Sequence, residues 1–266
     1  MFEQITPLLL TYNEAPNIAR TLAKLSWARR IVVIDSGSTD ATLDLLRNHP
    51  RAEVIGHPFT DFATQCNFGL AQVRTPWVLS LDADYELSDG LVEEIGALAD
   101  NEDVAGYRAG FVYRIYGRPL RGSLYPPRTV LYRKDKARYR NEGHGHRVGI
   151  AGEVKALRHV IYHDDRKPLA RWFASQQRYA AEEARHICAK EPHELTRADQ
   201  LRRMAWPAPL GAPFYALFAK GCILDGWVGW FYALQRLVAE TLIALAVLDR
   251  RLRGASSDER DGTAPG

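Results

Sequence analysis

The stretch "WVLSLDADYELS", Trp77 to Ser88, decides how this chain is read. Trp77 to Leu81 has the length and composition of a buried strand, and it ends at two carboxylates, Asp82 and Asp84, separated by one alanine. Two like charges placed so closely repel each other and are costly when buried without a partner. A divalent cation removes the conflict. Magnesium and manganese prefer oxygen ligands and complete their shells with water and substrate phosphates, so one or two protein carboxylates are enough. The pattern predicts a strand whose carboxyl end meets a cation shared with a diphosphate.

Working outward from this strand, apolar runs alternate with helical spacing. Ile5 to Tyr12 is a short strand-like run, and Pro16 to Trp27 carries Ile18, Leu22 and Leu25 at helical intervals, with Pro16 suited to a first turn. "RIVVID" (Arg30–Asp35) is β-branched, and the "SGSTD" after it is a turn able to cap a helix through Leu43 and Leu46. "AEVIGH" is a third strand, Phe62 to Val73 a third helix, and Leu91, Ile95 and Leu98 mark the helix after the acidic pair. Such alternation predicts an α/β fold with a mostly parallel central sheet flanked by helices. Ligands on such sheets bind at the carboxyl ends of the strands. "TYNE", "DSGSTD" and "DADYE" all fall on that one rim, a coincidence that capping and turn chemistry alone does not require.

Composition narrows the field. With 266 residues, 46% of them apolar, and a net charge of +3, the chain is ordinary globular protein large enough for a sizeable core. Cationic residues recur between Arg108 and Arg178, where they suit phosphates, and a solvated face accounts for them equally well; no nucleic-acid partner is expected. Cys66, Cys188 and Cys222 are far apart and form no metal-ligand spacing or disulfide framework. A reducing, cytoplasmic setting is expected. "MFEQITPLLLTYNE" has no basic region ahead of its apolar run and does not read as a secretory signal.

"LLLTYNEAPNI", "IVVIDSGSTDATLDLL" and "WVLSLDADYELS", in this order and spacing, resemble the N-terminal half of the family-two glycosyltransferases, which have the GT-A nucleotide-diphospho-sugar transferase fold. The likeness is dense from Ile5 to about Leu98 and looser to about Ile187, and the layout is similar to bacterial transferases of lipopolysaccharide cores and other envelope glycans. The resemblance implies a metal-dependent inverting enzyme that uses a nucleotide-diphosphate sugar donor, with a bias to UDP, and a glycan or lipid-linked acceptor. It implies that Thr11, Tyr12 and Glu14 line the nucleotide pocket, that Asp35 sits near the base or ribose, and that Asp82 has a nucleotide or metal role. Asp84 becomes the principal ligand of a Mg or Mn ion. Asn67 in "QCNFGLA" approaches the nucleotide, and His163, after the strand "ALRHVIY", reaches the metal.

The second half supplies strands at Val104–Tyr116, "RTVLYRK" (128–134) and "EVKALRHVIYH" (153–163). Between the last two, "YRNEGHGHRV" gathers Glu142, His144 and His146 with two glycines, and reads as a ligand-binding loop. Inverting transfer needs a base for the acceptor hydroxyl. Glu142 is the conservative choice; His144 is the alternative, because many relatives carry a His-Glu pair where this chain has "GHGHRV" and the register is open. "KPLARWFASQQRYAAEEARHI" carries Leu169, Trp172, Phe173, Tyr179, Ala180 and Ile187 near one stripe, as a docking helix does. Phe214 to Leu248 is rich in Trp, Tyr, Leu and Ala with sparse charges, and no uncharged run in it reaches the roughly 20 residues of a spanning helix. The expected organisation is a catalytic domain over 1–205, an apolar helical appendage over 206–253 that meets a membrane interface peripherally or forms a homo-oligomer contact, and a small, polar, disordered tail over 254–266. A non-catalytic sugar-nucleotide-binding scaffold at the membrane is the alternative reading. A nucleotidyltransferase is disfavoured, because the chain lacks the Gly-rich, Lys/Arg-containing N-terminal loop such enzymes use on triphosphates.

Overall fold

The computed structural model describes residues 1–142 and 145–261, with the side chains of 141–147 and 254–261 left aside. The elements, in chain order, are β1 (Ile5–Thr11), α1 (Ile18–Ala23), β2 (Ile31–Asp35), α2 (Thr42–Arg47), β3 (Ala52–Gly56), α3 (Phe62–Gln72), β4 (Trp77–Asp82), β5 (Tyr85–Leu87) and α4 (Asp89–Ala97). β6 (Val104–Ile115), β7 (Arg118–Pro119), β8 (Arg128–Arg133), β9 (Ala137–Glu142), β10 (Gly145–Ile150) and β11 (Glu153–His163) follow, and then α5 (Leu169–Ala189), α6 (Arg197–Arg203), α7 (Pro207–Phe214) and α8 (Trp227–Asp261). The chain forms two compact units, one of Met1–Leu120 with Leu124–Lys167, the other of Arg121–Ser123 with Pro168–Gly266. α5 and α6, counted with the catalytic domain on sequence, pack in the second unit.

In the first unit the sheet runs β3-β2-β1-β4-β8-β6-β11-β5, with β7 on β6. β3, β2, β1 and β4 are mutually parallel, and β11 is parallel to β6. β8 runs against both of its neighbours, and β5 runs against β11. The parallel sheet expected from sequence is present in β3-β2-β1-β4, and beyond β4 the sheet is mixed. β2 is buried along its whole length, as a strand covered on both faces must be. Leu9, Val33, Leu79 and Leu91 pack on one face, while Leu8, Ile34, Cys66 and Leu70 pack on the other. Gly69 lets α3 lie directly on the sheet, since a Cβ there would come within 2.7 Å of Leu8.

Two elements differ from the sequence reading. α1 spans only Ile18–Ala23, shorter than Pro16–Trp27, and is followed by turns over 24–27; Asn17 precedes it without a capping bond, its side chain being bonded to Glu14, Asp165, Arg20 and Arg166. The described residues of the expected loop at 139–148 are paired strands instead, with Tyr139 opposite Val148 and Glu142 opposite Gly145.

In the second unit α5 buries Ala180, Ala184 and Ile187 against Ile243 and Val247 of α8. The N-terminal part of its expected stripe does not share this contact: Leu169 and Phe173 are exposed. A single guanidinium, Arg202, ties α6 to both long helices. It donates to both carboxylate oxygens of Glu240 at 2.9 and 2.7 Å and to Glu183 at 3.3 Å. Between α7 and α8 the chain turns twice through positive φ, at Gly221 (72°) and Gly226 (61°), so the apolar segment is several helices rather than one.

Candidate active site

Two adjoining parts of the first unit make up the site. The first is built by the ends of β1 and β2. Asp35, the last residue of β2, is buried, and its carboxylate accepts four hydrogen bonds: Gly37 N (2.9 Å), Ser38 N (2.8 Å), Ser38 Oγ (2.6 Å) and Thr11 Oγ1 (2.8 Å). Gly37, at φ 91°, supplies the left-handed turn that lets the chain fold back over this carboxylate. Asn13, itself at φ 55°, donates its N–H to Ser38 Oγ and accepts from the backbone of Thr39 and Asp40. Glu14 N donates to Thr42 Oγ1 and Ala15 N to Asp40 Oδ2. "TYNEA" and "DSGSTD" are therefore one stitched wall, with the Tyr12 ring half-exposed on it. Beside this wall lies a cleft of about 780 Å³ lined by Asp35, Ser36, Gly37, Arg47 and His57.

The second part lies where β4 and β11 end. Asp84 follows β4, and His163 closes β11, 79 residues later. They meet because β5 pairs antiparallel with β11, setting Tyr85 opposite His163. His163 Nε2 lies 3.2 Å from Asp84 Oδ2. Tyr85, Tyr113 and Tyr125 surround the imidazole edge-on, with ring centroids 4.7–5.2 Å away. Burial favours the neutral form of Asp84. The charge and hydrogen bond of His163, with the Lys167 ammonium, outweigh it and hold the carboxyl below its usual range. Burial likewise opposes a charge on His163, but Asp84 prevails and raises its pKa, so both partners favour the ionised pair. Two buried atoms of the pair, Asp84 Oδ1 and His163 Nδ1, have no hydrogen-bond partner.

Glu14 connects the two parts. Its carboxylate meets Lys167 Nζ at 2.7 Å and accepts from Asn17 Nδ2 at 2.9 Å, and Asn17 also donates to Asp165. Burial, reinforced by the charge of Asp84, pushes Glu14 up to about 7 against the opposing pull of Lys167. Behind this layer Asp164, fully buried, holds Arg20 at 3.2 Å and Arg166 at 2.8 Å.

Thr11, Tyr12, Glu14, Asp35, Asp82, Asp84 and His163 thus all belong to the strand-end loops of one rim. Asn67 does not offer its amide there: the nitrogen donates to Tyr139 O and the oxygen accepts from Tyr139 N, which fastens α3 to β9. The side chain of Glu142, and His144 altogether, lie outside the described residues. Asn17, Asp164, Asp165 and Lys167 escaped the sequence reading. The signal that would have found them is "DDRK", a charged run placed straight after the strand that ends in His163. Among the described residues no three His, Cys, Asp or Glu side chains cluster as a complete metal cage.

A parallel sheet in the order 3-2-1-4, with its polar loops gathered at the carboxyl ends and a carboxylate–imidazole pair at the centre, defines a nucleotide-binding α/β protein of the GT-A type. The chain belongs to glycosyltransferase family 2, whose model, described as "Glycosyl transferase family 2", matches residues 8–161, more than half of its length. It is therefore an enzyme of the glycosyltransferase class. An uncharacterized glycosyltransferase of Rickettsia bellii is 26% identical over 216 residues, covering 75% of this chain and 73% of that one. The lipopolysaccharide core biosynthesis glycosyltransferase LpsC of Rhizobium meliloti is 30% identical over 148 residues, 51% of this chain and 53% of its own. Among solved structures, S. aureus TarS 1-349 in complex with UDP-GlcNAc aligns at TM-score 0.48 and 14% identity, over 94% of this chain and 92% of that chain. Glucosyl-3-phosphoglycerate synthase from Mycobacterium tuberculosis, in complex with Mn2+, UDP and phosphoglyceric acid, aligns at 0.47 and 16%, over 69% and 78%.

Proposed function

We propose that this enzyme moves a sugar, with inversion, from a nucleotide-diphosphate donor to an envelope-glycan or lipid-linked acceptor on the cytoplasmic side, and that it needs a divalent cation to do so. The observation that carries the reading is the Asp84–His163 pair at the carboxyl rim, buried yet with one unpartnered acceptor and one unpartnered ring nitrogen. Such atoms are costly unless a ligand meets them. A carboxylate beside an imidazole suits manganese at least as well as magnesium, and two protein ligands suffice where a diphosphate and water complete the shell. Asp82 stands at the same strand end, as a further ligand or a partner of the ribose. When bound, the cation supplies charge neutralisation to the departing nucleoside diphosphate.

The remaining work falls to the chain's own groups. Lys167, held by Glu14, offers a fixed ammonium to the diphosphate. The stitched wall at Thr11 and Asp35 keeps the cleft open before the donor arrives, with Tyr12 presenting a ring to the base; the bias to uridine rests on the family resemblance. Glu142 takes the acceptor proton, with His144 as its alternative. The likeness to LpsC supports an envelope-glycan acceptor.

Turnover of UDP-sugars by the purified chain, with manganese and then with excess chelator, tests the reading. Activity that survives chelation, or that is unchanged in Asp84→Ala, overturns it. Glu142→Gln should keep donor binding and lower turnover roughly a hundredfold or more; if His144→Ala does so instead, the base is His144.

A further inference from the structure

The helical unit carries an apolar surface that the catalytic reading does not use. Trp206, Leu210, Phe214 and Phe218, four residues apart, are all exposed along α7 and the turn after it. On α8, Trp227, Trp230 and Leu234 form an exposed stripe at helical spacing that continues through Leu245, Leu248 and Leu252. Trp227 is 87% exposed and Trp206 68%, a large loss for side chains whose burial is each worth about 2 kcal/mol. Contiguous exposed apolar surface of this kind marks an interaction site.

Charge identifies the occupant. From Met204 to Gln235 the only charged side chains are Lys220 and Asp225. Asp225 is neutralised: it accepts from Arg121 N at 3.0 Å and meets the Arg121 guanidinium at 3.3 Å. Asp249, beside Leu248, is paired with Arg253 at 2.9 Å, so among the described residues Lys220, Arg250 and Arg251 leave the border of this apolar face net basic, with no acid that lacks a basic partner. Docking onto a second copy through the same face would set cations against cations, because a two-fold contact is self-complementary. A surface of anionic headgroups over hydrocarbon meets both demands, and the Trp and Tyr rings suit that boundary.

We infer that this face lies on an anionic bilayer as a peripheral attachment, with the α7 and Trp227–Trp230 rings in the headgroup layer. α8 is long and apolar enough to span, at 27 residues from Trp227 to Arg253. Its other side, however, is packed on α5 and carries buried Glu240 locked to Arg202, and that side argues for lying on the membrane rather than crossing it.

The test is flotation of the full chain with vesicles of phosphatidylcholine alone or mixed with phosphatidylglycerol, in low and high salt, with no donor or acceptor present. It is therefore independent of catalysis. The expected result is flotation with the mixed vesicles, weakened by salt, and a roughly tenfold or greater loss of partitioning in Trp227→Ser/Phe214→Ser. Both sites are exposed, so the variant should keep the parent's melting temperature, and a melting temperature equal to the parent's with partitioning lost supports the inference. Failure to float with either vesicle overturns it. So does a concentration-dependent dimer that this variant dissociates, which assigns the face to a second copy. Vesicle-bound protein that resists alkaline carbonate extraction also overturns it, in favour of a spanning helix.

Discussion

The wall made by the β1 and β2 loops and the pocket where β4 and β11 end are built from the same materials, carboxylates and short polar side chains at strand termini, yet they are finished differently. In the wall, Asp35 meets four protein donors. At the pocket, Asp84 keeps one oxygen, and His163 one nitrogen, without a partner. A saturated carboxylate holds shape; an unsaturated one holds a place for something else. Two acidic residues that look equivalent in sequence thus differ in how far the protein satisfies them, and substitutions should separate their proposed roles.

The largest effect is expected at the pocket. Asp84→Asn should lower transfer by roughly a thousandfold, the scale of losing a principal electrostatic group, while the amide still meets a neutral His163, so the melting temperature in the absence of metal changes little and the manganese-dependent rise in melting temperature disappears. A large loss of fold stability instead would mean that Asp84 is structural and the comparison fails. The reverse signature is expected at the wall. Asp35→Ala strands several buried donors and should cost about 3 kcal/mol of stability, read by chemical denaturation.

Glu14 sharpens the contrast because it belongs to both parts. Its carboxyl, pushed up to about 7, holds its proton more tightly in the folded chain than in the unfolded one. The associated stability is complete below about pH 4.5 and is lost as pH rises through 7. Glu14→Gln should therefore match the parent near pH 4 and exceed it by about 2 kcal/mol near pH 8; parallel stability curves would refute the assignment. The smallest effect is expected at Asn67→Ala, which removes two bonds to the Tyr139 backbone and should cost about 1 kcal/mol, with donor affinity unchanged. A clear loss of donor affinity would return Asn67 to the nucleotide site.

Strand periodicity located β1, β2 and β4 and their polar ends, because alternating apolar runs and capping turns are local properties. The meeting of Asp84 with His163 was anticipated only through the family resemblance, since nothing local predicts that β5 pairs against β11. Asn17 shows the limit most plainly. Read locally it lies in the first turn of a helix, but its side chain joins Arg20, Arg166, Glu14 and Asp165, and the helix begins only after it. Asn67 was assigned to the ligand by its place ahead of the acidic pair, and its amide is used by a strand 72 residues away. Such choices between partners are made in three dimensions, where sequence spacing carries no information. The apolar segment after Met204 was legible in composition, while its division into α7 and the long α8 depended on two glycines at positive φ.

The three residues Arg121–Ser123 belong to the helical unit although the chain on both sides of them belongs to the other. Arg121 is bonded to Asp225 and the Gly122 carbonyl to Cys222, 104 and 100 residues further on. Translation therefore delivers this short segment long before its partners exist: at about 5–20 residues per second, the delay is on the order of 5–20 s. The β-sheet unit must carry an unfinished loop through that interval. A nascent chain stalled after Lys167 should leave residues 121–123 open to a protease that cannot cut them in the finished protein.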